Sequence, residues 1–505
     1  MNIQSALKEW ETFGLFSLDP KTIAKDFAGT IAHFTLNDFL SGNCKEFRPI
    51  DLLARMSIYG DNDPAAEASA ALYQIIIEGL CNDFSSHGIA CCNKVILRIL
   101  SLISKTPQGQ GVEQLLNRFG YTDETLLDRY SHLQEELALP DSARKHVRKL
   151  LILSRVTIGA DIVITSPMVH RLSRAFPDSE LVLIGPHHLA QLFNRISNLR
   201  FHEISYHRFG DIFEKTTAWP KIHALVQQEC SGCGEHEILL FDPDSRYTQL
   251  GMLPLIDLRD TYYFPSRRDL ENQSNPSLST QVNLWLDQII NDTHFCHPRV
   301  SFREEHMDQA TSFMNKIPGN TTRSITINLG VGGNENKRIP SPFEEKLLLS
   351  LLENKNTFIL LDSGHSPESA IHVHGLLDMV RNHGFPSDFV TEEELGDKTI
   401  TFSNGVMGFR GSIGAIGALI EKSNGFFGYD SCCQHLAAAV GTPAVIAFAG
   451  APNERFLHRW RPLSKYGTVK VFPVENSHEL TQSEIRILVE KIAVSLHDSM
   501  EIHQE

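Results

Sequence analysis

Between Phe426 and Ala449 the chain runs from an apolar aromatic stretch, Phe426-Phe427-Gly428-Tyr429, through Asp430-Ser431 into the small-residue segment Cys432-Cys433-Gln434-His435-Leu436-Ala437-Ala438-Ala439-Val440. Gly441-Thr442-Pro443 then hands over to a second apolar run, Ala444 to Ala449. Short apolar runs bounded by turn residues read as buried strands, and the segment between them as a helix opened by Ser431 and closed by Gly441. The order strand, turn, helix, strand points to a sheet with helices on its faces. The Asp430-Ser431 junction also has a chemistry. The first backbone N–H groups of a helix lack intrahelical partners and carry partial positive charge, so an anion such as a phosphate is favoured there. His435 adds a side-chain donor, or else is a histidine satisfied within the core.

The same grammar recurs upstream. Ser324 to Gly330 and Thr357 to Asp362 read as strands, and Ser366-Pro367-Glu368 as a helix start. Ser341, Pro342 and Glu344 have the spacing of a capping box. The stretch Gly330-Val331-Gly332-Gly333, followed by Lys337, lacks the spacing of a dinucleotide fingerprint or a Walker loop. It can still close glycine N–H groups around a diphosphate while Lys337 neutralises charge; the alternative is an ordinary strand-to-helix turn with a solvated lysine. Thr481 to Glu484 is a second capping box, and Ile485, Leu488, Val489, Ile492 and Leu496 share one face of the helix it opens.

Lys149 to Ser154 begins another α/β region, with a turn at Ala160-Asp161, an apolar run Ile162 to Thr165, a helix started by Pro167 and strands at Leu181 to Ile184 and Glu237 to Asp242. The polar runs Pro265 to Asp269 and Asn272 to Ser277 read as exposed loop, and a connection between domains is expected before residue 320. Residues 1 to 145 read as helical, with Ala70 to Ile77 and Val95 to Ile103 as buried elements, the second also legible as a strand. This region fits acceptor recognition, oligomerisation or a packing extension.

A chain of 505 residues suggests about three domains, and its net charge of −15 argues against a nucleic-acid partner. Met1 to Trp10 has no signal-peptide pattern, and no apolar run approaches the roughly 18 to 20 residues of a membrane span, so a cytoplasmic protein is expected. Nine cysteines, two pairs of them adjacent in sequence, suggest free thiols. Cys230 and Cys233, with His236 nearby and Cys296-His297 as the sole supplement, have the spacing of half a metal site or of a merely structural pair.

The run Asp430-Ser431-Cys432-Cys433-Gln434-His435-Leu436-Ala437-Ala438-Ala439-Val440-Gly441-Thr442-Pro443-Ala444-Val445 resembles the donor-site motif of glycosyltransferase family 9, the ADP-heptose:lipopolysaccharide heptosyltransferases. The passage Leu150 to Ile184, including Ala175-Phe176-Pro177-Asp178-Ser179, resembles the opening of that family. Cys432 and Ala160 stand where the family has glycine. The resemblance covers roughly residues 147 to 500. It implies an α/β, GT-B-like fold: two Rossmann-like parallel-sheet domains facing a cleft, preceded by an α-helical domain. The implied divisions are a helical extension over 1–145, an acceptor domain over 147–300, a nucleotide-sugar domain over 321–480, and a helix over 481–500 able to cross back to the acceptor domain.

The implied activity is inverting transfer of a sugar, with heptose favoured, from a nucleotide diphosphate to an acceptor hydroxyl, without metal or other cofactor. Asp161, six residues before Pro167, is the implied general base, its alternative being a turn or cap residue. Gly332, Gly333, Lys337, Glu368, Asp430, Ser431, Cys432 and His435 are the implied donor-binding residues. The implied partners are a nucleotide sugar, ADP-heptose above all, and a glycan, lipid-linked or protein acceptor, with peripheral contact at a membrane surface. Some autotransporter-modifying relatives carry a cysteine metal site, which keeps Cys230 and Cys233 in view. A different class of reading is a non-catalytic binding or assembly protein that has kept the fold, which Cys432 and Ala160 favour.

Overall fold

The computed structural model describes residues 27–502 apart from 60–61, 136–137, 141–143, 208–209, 270–275 and 320–322. The expectations for Met1 to Trp10 and for the loop at Asn272 to Asn275 lie outside the described residues.

Two parallel sheets organise the molecule. The first comprises β1 (Lys149–Leu153), β2 (Glu180–Gly185), β3 (Leu199–Glu203), β4 (Ile238–Asp242) and β5 (Thr261–Tyr263), in the order β3-β2-β1-β4-β5. The second comprises β6 (Arg323–Asn328), β7 (Thr357–Asp362), β8 (Ser387–Thr391), β9 (Gly405–Arg410), β10 (Gly425–Tyr429), β11 (Ala444–Ala449) and β12 (Val469–Val474). Its order is β12-β11-β10-β6-β7-β9-β8. All the strand pairs are parallel. Parallel neighbours need crossovers, which here run largely through helices, so the central strands are buried and largely apolar, while the edge strands β3, β8 and β12 carry polar residues and are only partly buried.

Alternation along the first sheet divides its side chains between two cores. Leu150, Ile152, Leu181, Leu183, Leu239 and Phe241 point one way, toward the helix ending at Ala175 and the Leu278–Ile290 helix. Leu151, Leu153, Val182, Ile184, Ile238 and Leu240 point the other way, into a core shared with the N-terminal helices. Those helices are Phe27–Leu40, Arg48–Tyr59, Asn62–Ala70 continuing through a π turn (Ala71–Ile77) into Glu78–Asp83, Ser86–Ile103, Gln110–Phe119 and Asp123–Leu133. Val95 to Ile103 is therefore helical. The Ser86–Ile103 helix is long and apolar enough to cross a membrane by composition, yet Cys91, Cys92, Val95, Ile96, Ile99, Leu100 and Ile103 are buried in that core.

Four local expectations change. The helix expected to start at Pro167 begins at Ile158, winds through a π turn at Asp161–Thr165 and continues to Ala175. Pro167 lies inside it because its missing N–H is compensated: the Val163 carbonyl accepts from Ser279 Oγ at 3.0 Å. The Ser341 capping box does not form, because the Glu344 carboxylate is occupied by Arg338, His372 and the Tyr429 hydroxyl. The polar run at Pro265–Asp269 is not all surface, since Ser266 and Arg267 are buried around the Asp244 carboxylate. The last helix, Gln482–Ile502, keeps its Thr481–Glu484 capping box but packs Ile485, Val489, Ile492, Leu496 and Met500 on the second sheet rather than crossing back.

The helix Glu304–Asn315, which follows the first domain, lies against the Ile413–Lys422 helix of the second. Gly414 and Gly417 permit this approach, since a Cβ there would come within 2.4 Å of His306 and Phe302.

Candidate active site

The C-terminal ends of β6, β7 and β10 each close on a polar residue. Asn328 Nδ2 donates to Asp362 at 2.6 Å, and Asn328 Oδ1 accepts from the Ser431 hydroxyl at 3.0 Å. Ser431 is thus the N-cap residue of the Cys432–Val440 helix without its hydroxyl capping an N–H. The Asp362 carboxyl is pushed up from its ordinary range by burial. Gly441, at φ 87°, ends the helix in the left-handed conformation that Gly-Thr-Pro announces. Cys432 occupies the first helical position and is not among the residues with positive φ, so a side chain at this position, where glycine is expected from the resemblance, is accommodated without backbone strain. Ala160 is likewise an ordinary helical residue, 1% exposed.

The loop after β6 carries Gly332 and Gly333 at φ 61° and 81°, two consecutive left-handed positions that require glycine, and both are exposed. It returns under β11, where a Cβ on Gly450 would stand 2.2 Å from the Asn336 carbonyl oxygen. That approach holds Lys337 over the helix start, where its ammonium pairs with Asp430 and lies 5.4 Å from the Phe456 ring.

Near this ion pair three buried polar atoms have no hydrogen-bond partner among the described residues: Gln434 Oε1, His435 Nδ1 and Trp460 Nε1. Gln434 Nε2 donates to Asp430 at 2.5 Å and approaches His435 Nε2 at 3.5 Å. A donor facing Nε2 assigns the His435 proton to Nδ1. Two N–H donors without partners among the described residues, His435 Nδ1 and Trp460 Nε1, therefore belong to rings that pack together, 6.1 Å between centroids, near this helix start. Burial pushes the His435 imidazole down to about 4, so the ring is neutral at physiological pH. Its 3% exposure reflects the first domain, because Gly159 packs on it: a Cβ at Gly159 would lie 3.2 Å from His435 Cδ2.

Lys337, Asp430, Ser431 and His435 thus come together, with Gly332 and Gly333 on the loop that delivers Lys337. Glu368 lies exposed in the first turn of the Pro367–Asn382 helix, beyond β7, with its carboxyl held low by a backbone N–H and Ser366. It makes no bond with the Lys337 group among the described residues.

In the first domain, on the segment that packs against the Cys432–Val440 helix, Asp161 is fully buried. Its Oδ1 accepts from Ser154 Oγ (3.0 Å), Arg155 N (2.8 Å) and Thr165 Oγ1 (2.8 Å), and Oδ2 from Ser154 Oγ (2.8 Å) and His188 Nε2 (3.1 Å). Val156, a β-branched residue at φ 80°, makes the turn that aims Arg155 N at the carboxylate. Asp161 therefore has no exposed surface, and its lone pairs face Ser154, Arg155 N, Thr165 and His188, an arrangement that fixes the orientation of the carboxylate.

Beside it Asp244, at φ 64°, is buried with Arg267, Arg155, Ser266 and the Tyr263 hydroxyl. The adjacent arginines hold its carboxyl at about 2 against the pull of burial. No three His, Cys, Asp or Glu side chains converge to hold a metal ion among the described residues. His236 is paired with Asp260, and Cys296 is buried beside Asn283.

Asn328, Asp362, Gln434, Trp460 and His188 were not singled out from the sequence. Polar residues ending apolar strands could have flagged the first two; Trp460 and His188 reach the site only through folding.

Neither a protein-family model nor a curated protein matches the sequence. Among solved structures, a glycosyl transferase family 9 protein from Veillonella parvula aligns with a TM-score of 0.50 at 15% identity, over 72% of this chain and 100% of that one. The ADP-heptose lps heptosyltransferase II of E. coli aligns at 0.48 and 15% identity over 71% and 100%. The E. coli heptosyltransferase WaaC with ADP aligns at 0.44 and 13% over 69% and 99%. With its two parallel α/β sheets, the chain has the GT-B fold seen in glycosyltransferase family 9, extended by an N-terminal helical domain.

Proposed function

We propose that this protein is a glycosyltransferase that moves a sugar, heptose in the first instance, from a nucleoside diphosphate to an acceptor hydroxyl with inversion. The observation that carries the reading is the convergence of Lys337 with Asp430 at the start of the Cys432–Val440 helix, in the neighbourhood of His435 and Trp460, whose ring N–H groups have no partner among the described residues. These are donors without acceptors, beside a cation that a diphosphate can draw from Asp430. They also suit a leaving group: negative charge that grows as the sugar–oxygen bond breaks is met by an ammonium, a helix N-terminus and fixed N–H groups, the work a divalent cation does elsewhere. The fold and the family resemblance nominate ADP-heptose as donor and a glycan, lipid-linked or protein hydroxyl as acceptor. All nine cysteines are free thiols, which suits work in the cytoplasm.

Thermal denaturation in the presence of a panel of nucleotide sugars tests the donor. ADP-heptose is expected to raise Tm in proportion to saturation, while UDP- and GDP-sugars are not. No shift with any member of the panel overturns the transferase reading in favour of an assembly protein.

A further inference from the structure

We infer that His188, with Asp161 as its positioning residue, is the general base that takes the proton of the acceptor hydroxyl; this rests on the transferase reading above. His188 follows Gly185 at the end of β2, and its imidazole is 16% exposed although the Asp161 side chain beneath it is 0% exposed. The ring makes one hydrogen bond among the described residues, Nε2 to Asp161 Oδ2 at 3.1 Å. A carboxylate can only accept, so this bond fixes the proton on Nε2 and leaves the Nδ1 lone pair for another partner.

Every other element of the cluster serves to keep Asp161 in place. Ser154, Arg155 N and Thr165 fill its remaining lone pairs, and Gly185 lacks the Cβ that would strike Ser154 at 2.3 Å. The cluster also borders the donor side. Gly159, two residues before Asp161, touches His435, and Gln191, three residues after His188, accepts from Gly414 N at 3.0 Å. A buried carboxylate, a partly exposed imidazole that it orients, and a ring nitrogen with no partner among the described residues form the constellation that activates a weak hydroxyl nucleophile.

In the step, the acceptor O–H gives its proton to His188 Nδ1 as its oxygen bonds the anomeric carbon. The bond from that carbon to the diphosphate oxygen breaks, and its electron pair leaves with the nucleoside diphosphate. Asp161 offsets the imidazolium charge.

The test reads ADP released from ADP-heptose, with water or a heptose-free lipopolysaccharide core as acceptor probe. His188→Ala is expected to lower release by about 10² or more while ADP-heptose still raises Tm, and added imidazole is expected to restore part of the rate. His188→Gln, which keeps a donor toward Asp161, is expected to show the same loss with the parent's Tm. Release at the parent rate, or a loss that imidazole leaves unchanged, overturns the assignment. A parent that releases no ADP refutes the transferase reading instead. In that event ¹⁵N signals of the His188 ring decide the dyad by themselves: protonation at Nε2 supports it, and protonation at Nδ1 refutes it.

Discussion

In the proposed donor site Lys337 and His435 would act by different physics. Lys337 is a charge on a flexible stem, held by an ion pair with Asp430 that a diphosphate can replace. Lys337→Ala is expected to weaken donor binding by about tenfold or more, through loss of a charge-assisted contact, while leaving Tm without donor nearly unchanged; titration calorimetry with ADP checks it. His435 is a neutral donor whose imidazole is depressed from 6.5 to about 4 by burial. Below pH 6.5 the unfolded chain takes up a proton that the native ring refuses, so this residue's contribution to stability is present above 6.5 and lost as pH falls toward 4. The slope approaches about 1.4 kcal/mol per pH unit for one such group. Tm of the parent is therefore expected to fall more steeply between pH 6.5 and 4 than that of His435→Leu; parallel curves would contradict the burial argument. The His170 imidazole, also pushed down to about 4, acts in the same direction in both proteins.

At the scale of elements, the helical region is half of a core. Leu151, Leu153, Val182, Ile184 and Leu240 leave the first sheet on the face that the helices Arg48–Tyr59 and Ser86–Ile103 help to cover, and Trp219 Nε1 on that side donates to Pro254 O at 2.8 Å. Removing residues 1–133 exposes this face, and each Leu or Ile left in water forfeits about 1.5–3 kcal/mol. The truncated chain is expected to be insoluble or to lose its cooperative melting transition. A soluble product with the parent's Tm would show that the helices are an independent appendage. At the π turn Asp161–Thr165 two contacts fix the helix: Thr165 Oγ1 donates back to Asp161, and the carbonyl freed by Pro167 is taken by Ser279 from another helix.

The whole molecule meets on Arg459. Its helix, Glu454–Trp460, belongs to the second domain, while its guanidinium donates to Ser266 O (3.3 Å) and Arg268 O (2.6 Å) in the first and lies 4.2 Å over the Phe84 ring of the helical domain. Asn453 Nδ2 reaches Asn82 O at 3.0 Å nearby. Burial of this group holds the guanidinium down to about 10, which marks how far it has been taken from water. Arg459→Ala strands the carbonyls it satisfies and is expected to destabilise by about 1.5–3 kcal/mol, splitting one thermal transition into two as the domains uncouple. Calorimetry showing one unchanged transition would mean that the helix contacts at Gly414 and Gly417 suffice to hold the domains together.

Local chemistry in the sequence determined the parts whose causes are local: the strand, turn and helix at Phe426–Val440, the left-handed end at Gly441, the consecutive glycines of the Lys337 loop, the Ser366 and Thr481 caps, and the presence of two α/β units. It misjudged elements whose outcome depended on a distant partner. Pro167 reads as a helix start until Ser279 supplies the missing bond, Glu344 reads as a cap until Arg338, His372 and Tyr429 draw it inward, and Arg267 reads as a loop residue until Asp244 buries it. The role of Asp161 is implied by the family resemblance alone, and nothing within seven residues of it reveals that His188, from the end of another strand, shares its carboxylate. A periodic pattern reports which face of an element is apolar, and only the folded chain decides what covers that face and which polar groups are left without partners.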